Sequence, residues 1–182
     1  MLLRSDVCDF GAPAPDFSLR TPDGQTYDRD SVMGTKGLLI AFICNHCPYV
    51  IAIIDRLAKD MQALSEIGVG CAAIMSNNYE AYPADAPEKM REFAKAHGLT
   101  APYLVDEDQS IARQYGAVCT PDFFGFDAMG GLQYRGRLDN IGMQKTSEAR
   151  VPELLNAMQQ VAETGRGPTD QTPSMGCSLK WR

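Results

Sequence analysis

The chain has 182 residues, a length that suits one domain. Hydrophobic residues make up 45%, enough for a sizeable core, while a net charge of −6 at pH 7 argues against nucleic acid or an anionic membrane as partner. No apolar run approaches membrane-spanning length, the first residues lack the apolar core of a secretion signal, and six cysteines do not make a disulfide scaffold at this size, so a cytoplasmic location is expected.

Residues 1–12 read as a poorly ordered lead-in that carries Cys8 as an incidental thiol. Ala14 to Leu19 is a short strand, Thr21-Pro22-Asp23-Gly24 a turn, and Gln25-Thr26-Tyr27 the returning arm of a hairpin. Ser31 to Gly37 is a loop, and Leu38-Leu39-Ile40-Ala41 is a buried strand. From Pro48, apolar residues at helical spacing (Val50, Ile54, Leu57, Met61, Leu64) predict a helix to about Ile67, with Gly68 as its stop.

Val69 to Met75 is a second buried strand, which completes a parallel strand–helix–strand unit with Cys71 as a small core residue. Ser76 to Ala86 is a polar loop on the same edge as the start of the long helix, either lining a site there or simply solvated. Pro87 to His97 is an amphipathic helix closed by Gly98, Tyr103 to Val105 a short strand, and Asp106 to Tyr115 a short helix. Asp122 to Asp127 and Leu132 to Arg137 form a β-hairpin, and Val151 to Val161 is the last helix. The order predicts an α/β fold with a central mixed sheet flanked by helices, residues 1–164 forming the domain and 165–182 a tail packed on it.

The chemistry concentrates where the buried strand meets the long helix, at Cys44-Asn45-His46-Cys47-Pro48. A thiolate, rather than a thiol, attacks a disulfide, and a helix N-terminus favours the thiolate through its unpaired N–H groups and dipole. Cys44 is expected just outside the helix as the exposed, attacking sulfur, with Cys47 one turn in and resolving. His46, partly protonated near neutral pH, is expected to stabilise the Cys44 thiolate. Pro48 suits the first helical turn. A pair of structural cysteines or half a zinc site are the bland alternatives for this spacing.

Taken together, the strand–CxxC–helix and the downstream Thr120-Pro121 before a β-hairpin resemble the thioredoxin fold. The opening Gly11-Ala12-Pro13-Ala14-Pro15-Asp16-Phe17-Ser18-Leu19 with Asp23-Gly24 resembles the N-terminal extension of AhpC/TSA-type peroxiredoxins and thiol reductases, here a β-hairpin. Cys119-Thr120-Pro121-Asp122 and the terminal Gly176-Cys177-Ser178-Leu179-Lys180-Trp181 are similar to peroxiredoxin-like thioredoxin-family proteins that carry a CxxC. The resemblance implies a thiol–disulfide oxidoreductase acting on disulfide-containing or dithiol proteins, with no organic cofactor and no metal. It further implies a cis Thr120–Pro121 bond beside the dithiol, with Thr120 and Asn45 contacting substrate and Pro121 shaping the groove. Leu38 stands where thioredoxins carry a buried Asp, and Asn45-His46 replaces their Gly-Pro, which implies a more oxidising pair.

Three rivals remain open. A peroxidase of peroxiredoxin type would use Cys47, which Pro48 follows, but Cys44 takes the place of the Thr or Ser expected three residues before it, and no activating Arg is evident. Copper delivery would use Cys44, Cys47 and His97. A non-catalytic binding module would need no redox-active dithiol. Cys119 and Cys177 are candidate auxiliary thiols, Cys177 by folding the tail back toward the active-site edge. The sequence names neither the physiological substrate nor the oligomeric state.

Overall fold

The computed structural model describes all 182 residues. Its first strand, β1 (Leu2–Arg4), lies inside the segment read as an unordered lead-in. It is held there by a strand from the far end of the chain. The hairpin follows as β2 (Ser18–Arg20) and β3 (Thr26–Asp28). The loop expected after it opens with a helical turn, α1 (Arg29–Val32), because Asp28 and Ser31 cap each other's backbone N–H groups. Then come β4 (Gly37–Phe42), the long helix α2 (Pro48–Glu66) and β5 (Val69–Met75).

A single 3₁₀ turn at Pro83–Asp85 interrupts the polar loop before α3 (Pro87–His97), whose end is marked by Gly98 in the left-handed conformation. β6 (Tyr103–Val105) leads to α4 (Ser110–Tyr115), which starts later than expected. Asp106 precedes this helix and accepts the N–H groups of Ile111 and Ala112. The chain continues through β7 (Cys119–Thr120), β8 (Asp122–Phe126), β9 (Leu132–Tyr134), α5 (Glu153–Thr164) and β10 (Met175–Ser178).

The central sheet runs β3-β2-β6-β5-β4-β8-β9. β4 pairs parallel with β5 and antiparallel with β8, so the sheet is mixed as expected. β4 is buried along its whole length and alternates between two cores. Leu39 and Ala41 face α2 and α5, whereas Leu38, Ile40 and Phe42 face Phe17, Tyr115 and Phe124. This sandwiched position fixes the end of β4, and therefore the turn that follows it. A second, three-stranded sheet, β1-β10-β7, was not expected from the sequence. No helix is long and apolar enough to cross a membrane.

Candidate active site

Cys44, Asn45, His46 and Cys47 form the turn between β4 and α2, and Cys47 is the N-cap residue of that 19-residue helix. The expectation of an exposed Cys44 and a Cys47 one turn inside the helix is corrected on both points. Cys44 is 1% exposed and Cys47 0%, because the loop after β5 covers one flank of the turn and the tail covers the other.

On the loop flank the organising residue is Asp85, which the sequence reading did not single out. Its carboxylate is fully buried and faces four donors. The backbone N–H groups of Asn45 and His46 reach it at 2.8 and 3.3 Å, His46 Nδ1 at 2.7 Å, and the Asn77 amide at 2.9 Å. One carboxylate therefore fixes both the turn between the cysteines and the orientation of the imidazole. The His46 ring also stacks on Tyr82, with centroids 5.6 Å apart and planes within 5°. Asn45 is held by the Tyr103 hydroxyl, which donates to its side-chain oxygen at 3.0 Å, and by its own amide donating to the Ala84 carbonyl. The only sequence signal for Asp85 was the placement of its loop on the dithiol edge.

On the opposite flank, the Thr120–Pro121 peptide bond is cis. Thr120 Oγ1 lies 3.5 Å from Cys44 Sγ, and the Cys47 thiol donates to the Thr120 carbonyl at 3.2 Å. The edge of β7 that was expected to meet a substrate chain is occupied by β10, with Cys177 opposite Thr120 and Ser178 opposite Cys119. The approach is so close that a methyl group on Gly176 would collide with the Thr120 carbonyl oxygen. Further bonds strap the tail down. Ser174 Oγ donates to the Pro121 carbonyl (2.7 Å), Lys180 N to Asn77 Oδ1 (2.9 Å), and Leu179 N to the Val118 carbonyl (3.2 Å). Leu179 is buried in the core with Phe42, and Arg113 covers the Trp181 ring at 4.3 Å.

The two sulfurs are linked by one proton, and of the pair it is Cys47 whose pKa is drawn down. The Cys44 thiol donates to Cys47, the Thr120 hydroxyl is within reach, and the amide N–H groups of Cys177 and Val50 face its sulfur at the helix N-terminus. Together these outweigh burial and bring the Cys47 pKa down to about 4. Cys44 is pushed strongly up, first by holding its proton in the bond to Cys47, then by burial and by the Asp85 charge. The His46 imidazole, expected to stabilise a Cys44 thiolate, lies within 4.8 Å of Cys44 Sγ and is hydrogen-bonded through Nδ1 to Asp85.

Cys44, Asn45, His46, Cys47, Thr120, Pro121 and Cys177 lie together. Cys119 does not join them. Its buried thiol donates to the Pro121 carbonyl (3.5 Å), and burial pushes its pKa up. His97 pairs instead with Asp55 (2.7 Å) and packs at a tilt against Phe93, so the Cys44–Cys47–His97 copper set is not assembled. The donor atoms that do converge are those of Cys44, His46 and Asp85, within 4.8 Å of one another, and Asp85 is already committed to its four donors. Beside Pro121 opens a cavity of about 280 Å³, lined by Tyr49, Ile53, Phe123, Leu138 and Met175, with Arg4 and Arg137 among its walls.

Residues 10–135 match the family described as AhpC/TSA family. Among curated proteins, the chain is 29% identical over 126 residues to a thioredoxin-like protein, YneN, of Bacillus subtilis, which covers 68% of each chain. It is 28% identical over 115 residues to peroxiredoxin Bcp of Escherichia coli, covering 63% of this chain and 69% of that one. Among solved structures, an uncharacterized conserved protein of Geobacillus kaustophilus superposes with a TM-score of 0.91 at 37% identity, covering 100% of this chain and 97% of that one. The thioredoxin domain of a Bacteroides vulgatus thiol-disulfide oxidoreductase superposes with a TM-score of 0.65 at 15% identity, over 87% of this chain and 99% of that one. That last likeness shows the fold alone, which is thioredoxin-like.

Proposed function

The chain belongs to the AhpC/TSA family of the thioredoxin superfamily, and on that premise we propose that it is a thiol–disulfide oxidoreductase working through the Cys44–Cys47 dithiol. The observation that carries this reading is the pair itself: two sulfurs at the N-terminus of α2 that share a proton, with a second cysteine where a peroxidase would place Thr.

In the first step the Cys47 thiolate takes the Cys44 proton, and the Cys44 sulfur attacks one sulfur of the substrate disulfide. The substrate's other sulfur leaves as a thiolate and is protonated by solvent. Cys47 then loses its proton and attacks Cys44 in the mixed disulfide. The second substrate thiol is released, and a Cys44–Cys47 disulfide remains. The Asp85–His46 contact holds the turn rigid while its sulfurs change partners, and Thr120 Oγ1 is placed to hydrogen-bond the attacking sulfur. Asn45 and His46 form the half-exposed rim a substrate meets, and the apolar cavity beside Pro121 suits an apolar side chain of a protein substrate. The substrates on this reading are disulfide-containing or dithiol proteins of a reducing cytoplasm.

A thiol peroxidase at Cys47 is the second reading, favoured by the lowered Cys47 pKa and by Pro48. Against it, Arg135 and Arg137, the first two arginines after the Thr120–Pro121 bond in the chain, are engaged with Asp122 and Glu153. Equilibration against glutathione, read by mass shift after thiol trapping, separates the two. A Cys44–Cys47 disulfide forming between roughly −270 and −180 mV is the expected result. If no such disulfide forms and peroxide converts Cys47 to a sulfenic acid, the peroxidase reading replaces it.

A further inference from the structure

We propose that Cys177 is a third redox-active thiol of this site, which attacks Cys47 in the Cys44–Cys47 disulfide and carries the oxidised state out to the tail. The inference rests on the exchange reading above and names the group that relieves the buried disulfide.

Three independent features place Cys177 there. First, it stands directly opposite Thr120 in the antiparallel β7–β10 pair. Residues so paired project to the same face with their Cβ atoms about 5 Å apart, and the Thr120 side chain on that face touches Cys44 Sγ at 3.5 Å. Second, the Cys177 amide faces Cys47 Sγ, and its side chain packs on the core cluster that contains both site cysteines. Third, the position is enforced. Gly176 lies against the Thr120 carbonyl where no larger residue fits, Ser178 N donates to the Met1 carbonyl (2.8 Å), and Leu179 is sunk into the core.

Accessibility supplies the reason for such a relay. Cys44 and Cys47 are 1% and 0% exposed, whereas Cys177 is half-buried. A disulfide that involves Cys177 offers a thiol partner a less deeply buried residue than the Cys44–Cys47 pair does. Charge supplies the timing. In the reduced protein the Cys177 pKa is raised, first by burial and then by its contact with the charged Cys47, while Lys180 and the N-terminal amine act the other way. Oxidation of Cys47 to a disulfide removes its negative charge, so Cys177 ionises more readily only when there is a disulfide to attack.

The step balances without an outside oxidant. The Cys177 thiol gives its proton to solvent, and its sulfur bonds to Cys47 Sγ. The Cys44–Cys47 bond breaks, and Cys44 leaves as a thiolate that takes up a proton. One disulfide is exchanged for another with no net electron transfer. An external thiol then reduces Cys47–Cys177 by the same chemistry.

The test is oxidation by graded oxidised glutathione, acid quenching and disulfide mapping by mass spectrometry of the non-reduced digest. In the wild type, Cys44–Cys47 is expected first and Cys47–Cys177 after it. In Cys44→Ser, Cys47–Cys177 is expected as the dominant product, with glutathione on Cys47 reduced on the order of tenfold relative to Cys44→Ser/Cys177→Ser, since a tethered thiol acts at millimolar effective concentration or above. Persistent glutathionylated Cys47 in Cys44→Ser, with no Cys47–Cys177 peptide, overturns the proposal while leaving the exchange reading intact. Should the variant fail to fold, the wild-type time course decides alone, because a Cys44–Cys47 disulfide never followed by Cys47–Cys177 overturns it equally. Absence of a Cys44–Cys47 disulfide in the wild type would instead sink the exchange reading.

Discussion

Asp85 and Asp122 are both 0% exposed, and the two ends of the site they occupy use the same buried carboxylate in opposite ways. Asp85, in the loop after β5, faces four donors that all belong to the dithiol turn or its support. Asp122, at the start of β8, accepts from Val118 N and faces Arg135 at 3.4 Å, and its Oδ1 has no hydrogen-bond partner. Burial accordingly pushes the Asp122 pKa up to about 6 against the pull of Arg135. Arg135 also leaves its Nε without a partner while it stacks over Phe124 at 4.4 Å. The difference teaches that burial alone does not set what a carboxylate does. A complete donor set makes Asp85 a positioning residue for the turn, whereas an incomplete one leaves Asp122 as a charge that its fold barely tolerates.

The largest effect expected from this contrast comes from removing the cation. Arg135→Met strands the Asp122 charge and is expected to cost about 3–5 kcal/mol at pH 7, with part recovered at pH 5 as Asp122 takes a proton. Urea midpoints at the two pH values would check this, and an equal loss at both would break the contrast.

Asp85→Ala leaves the Asn77 amide and two turn N–H groups without their acceptor. It is expected to cost about 2–4 kcal/mol, at roughly 1–3 kcal/mol per unpaired buried group with partial relaxation, and to slow disulfide exchange. A variant as stable as wild type with unchanged exchange rates would show that the turn does not depend on Asp85.

For Asp122 itself the sign follows from the direction of its shift. The folded pKa, about 6, exceeds the ordinary 3.8, so folding favours the protonated form. Its contribution is fully present below pH 3.8 and is lost as pH rises through 6. Two units correspond to roughly 3 kcal/mol. Asp122→Asn should remove that slope from the pH dependence of the urea midpoint. A slope unchanged in the variant would assign it to another group.

The smallest effect is electrostatic. Asp85→Asn keeps an acceptor in the turn but removes a charge that raises the Cys44 pKa. Cys44 then gives up its proton more readily, so its alkylation should turn on at lower pH than in the wild type, by about one pH unit for roughly 1.4 kcal/mol. An alkylation profile of Cys44 unchanged from wild type would contradict the charge argument.

Much of this arrangement could be read from residues close together in the chain. Val69–Met75, Pro87–His97 and Tyr103–Val105 have the bounds that their apolar patterns and stop signals imply. The CxxC lies at a strand–helix junction whose two sides are each locally patterned. β1, β7 and β10 were not legible, because strands of two to four residues lack room for a periodic pattern and each is held by a partner remote in sequence. Asp85 was hidden for the same reason. It lies 40 residues from Asn45 in a loop whose composition also describes an ordinary surface.

The sequence by itself determined the mixed sheet, the dithiol and its seat at the head of α2, since these follow from hydrophobic period and from residues within a few positions of one another. Tertiary structure alone decided that both sulfurs are buried, that the Cys47 pKa is the one drawn down, that Asp85 holds the turn, and that the tail brings Cys177 to the site. Each of these depends on desolvation and on donors delivered from distant parts of the chain, and the energy of a buried charge is set by what surrounds it in space.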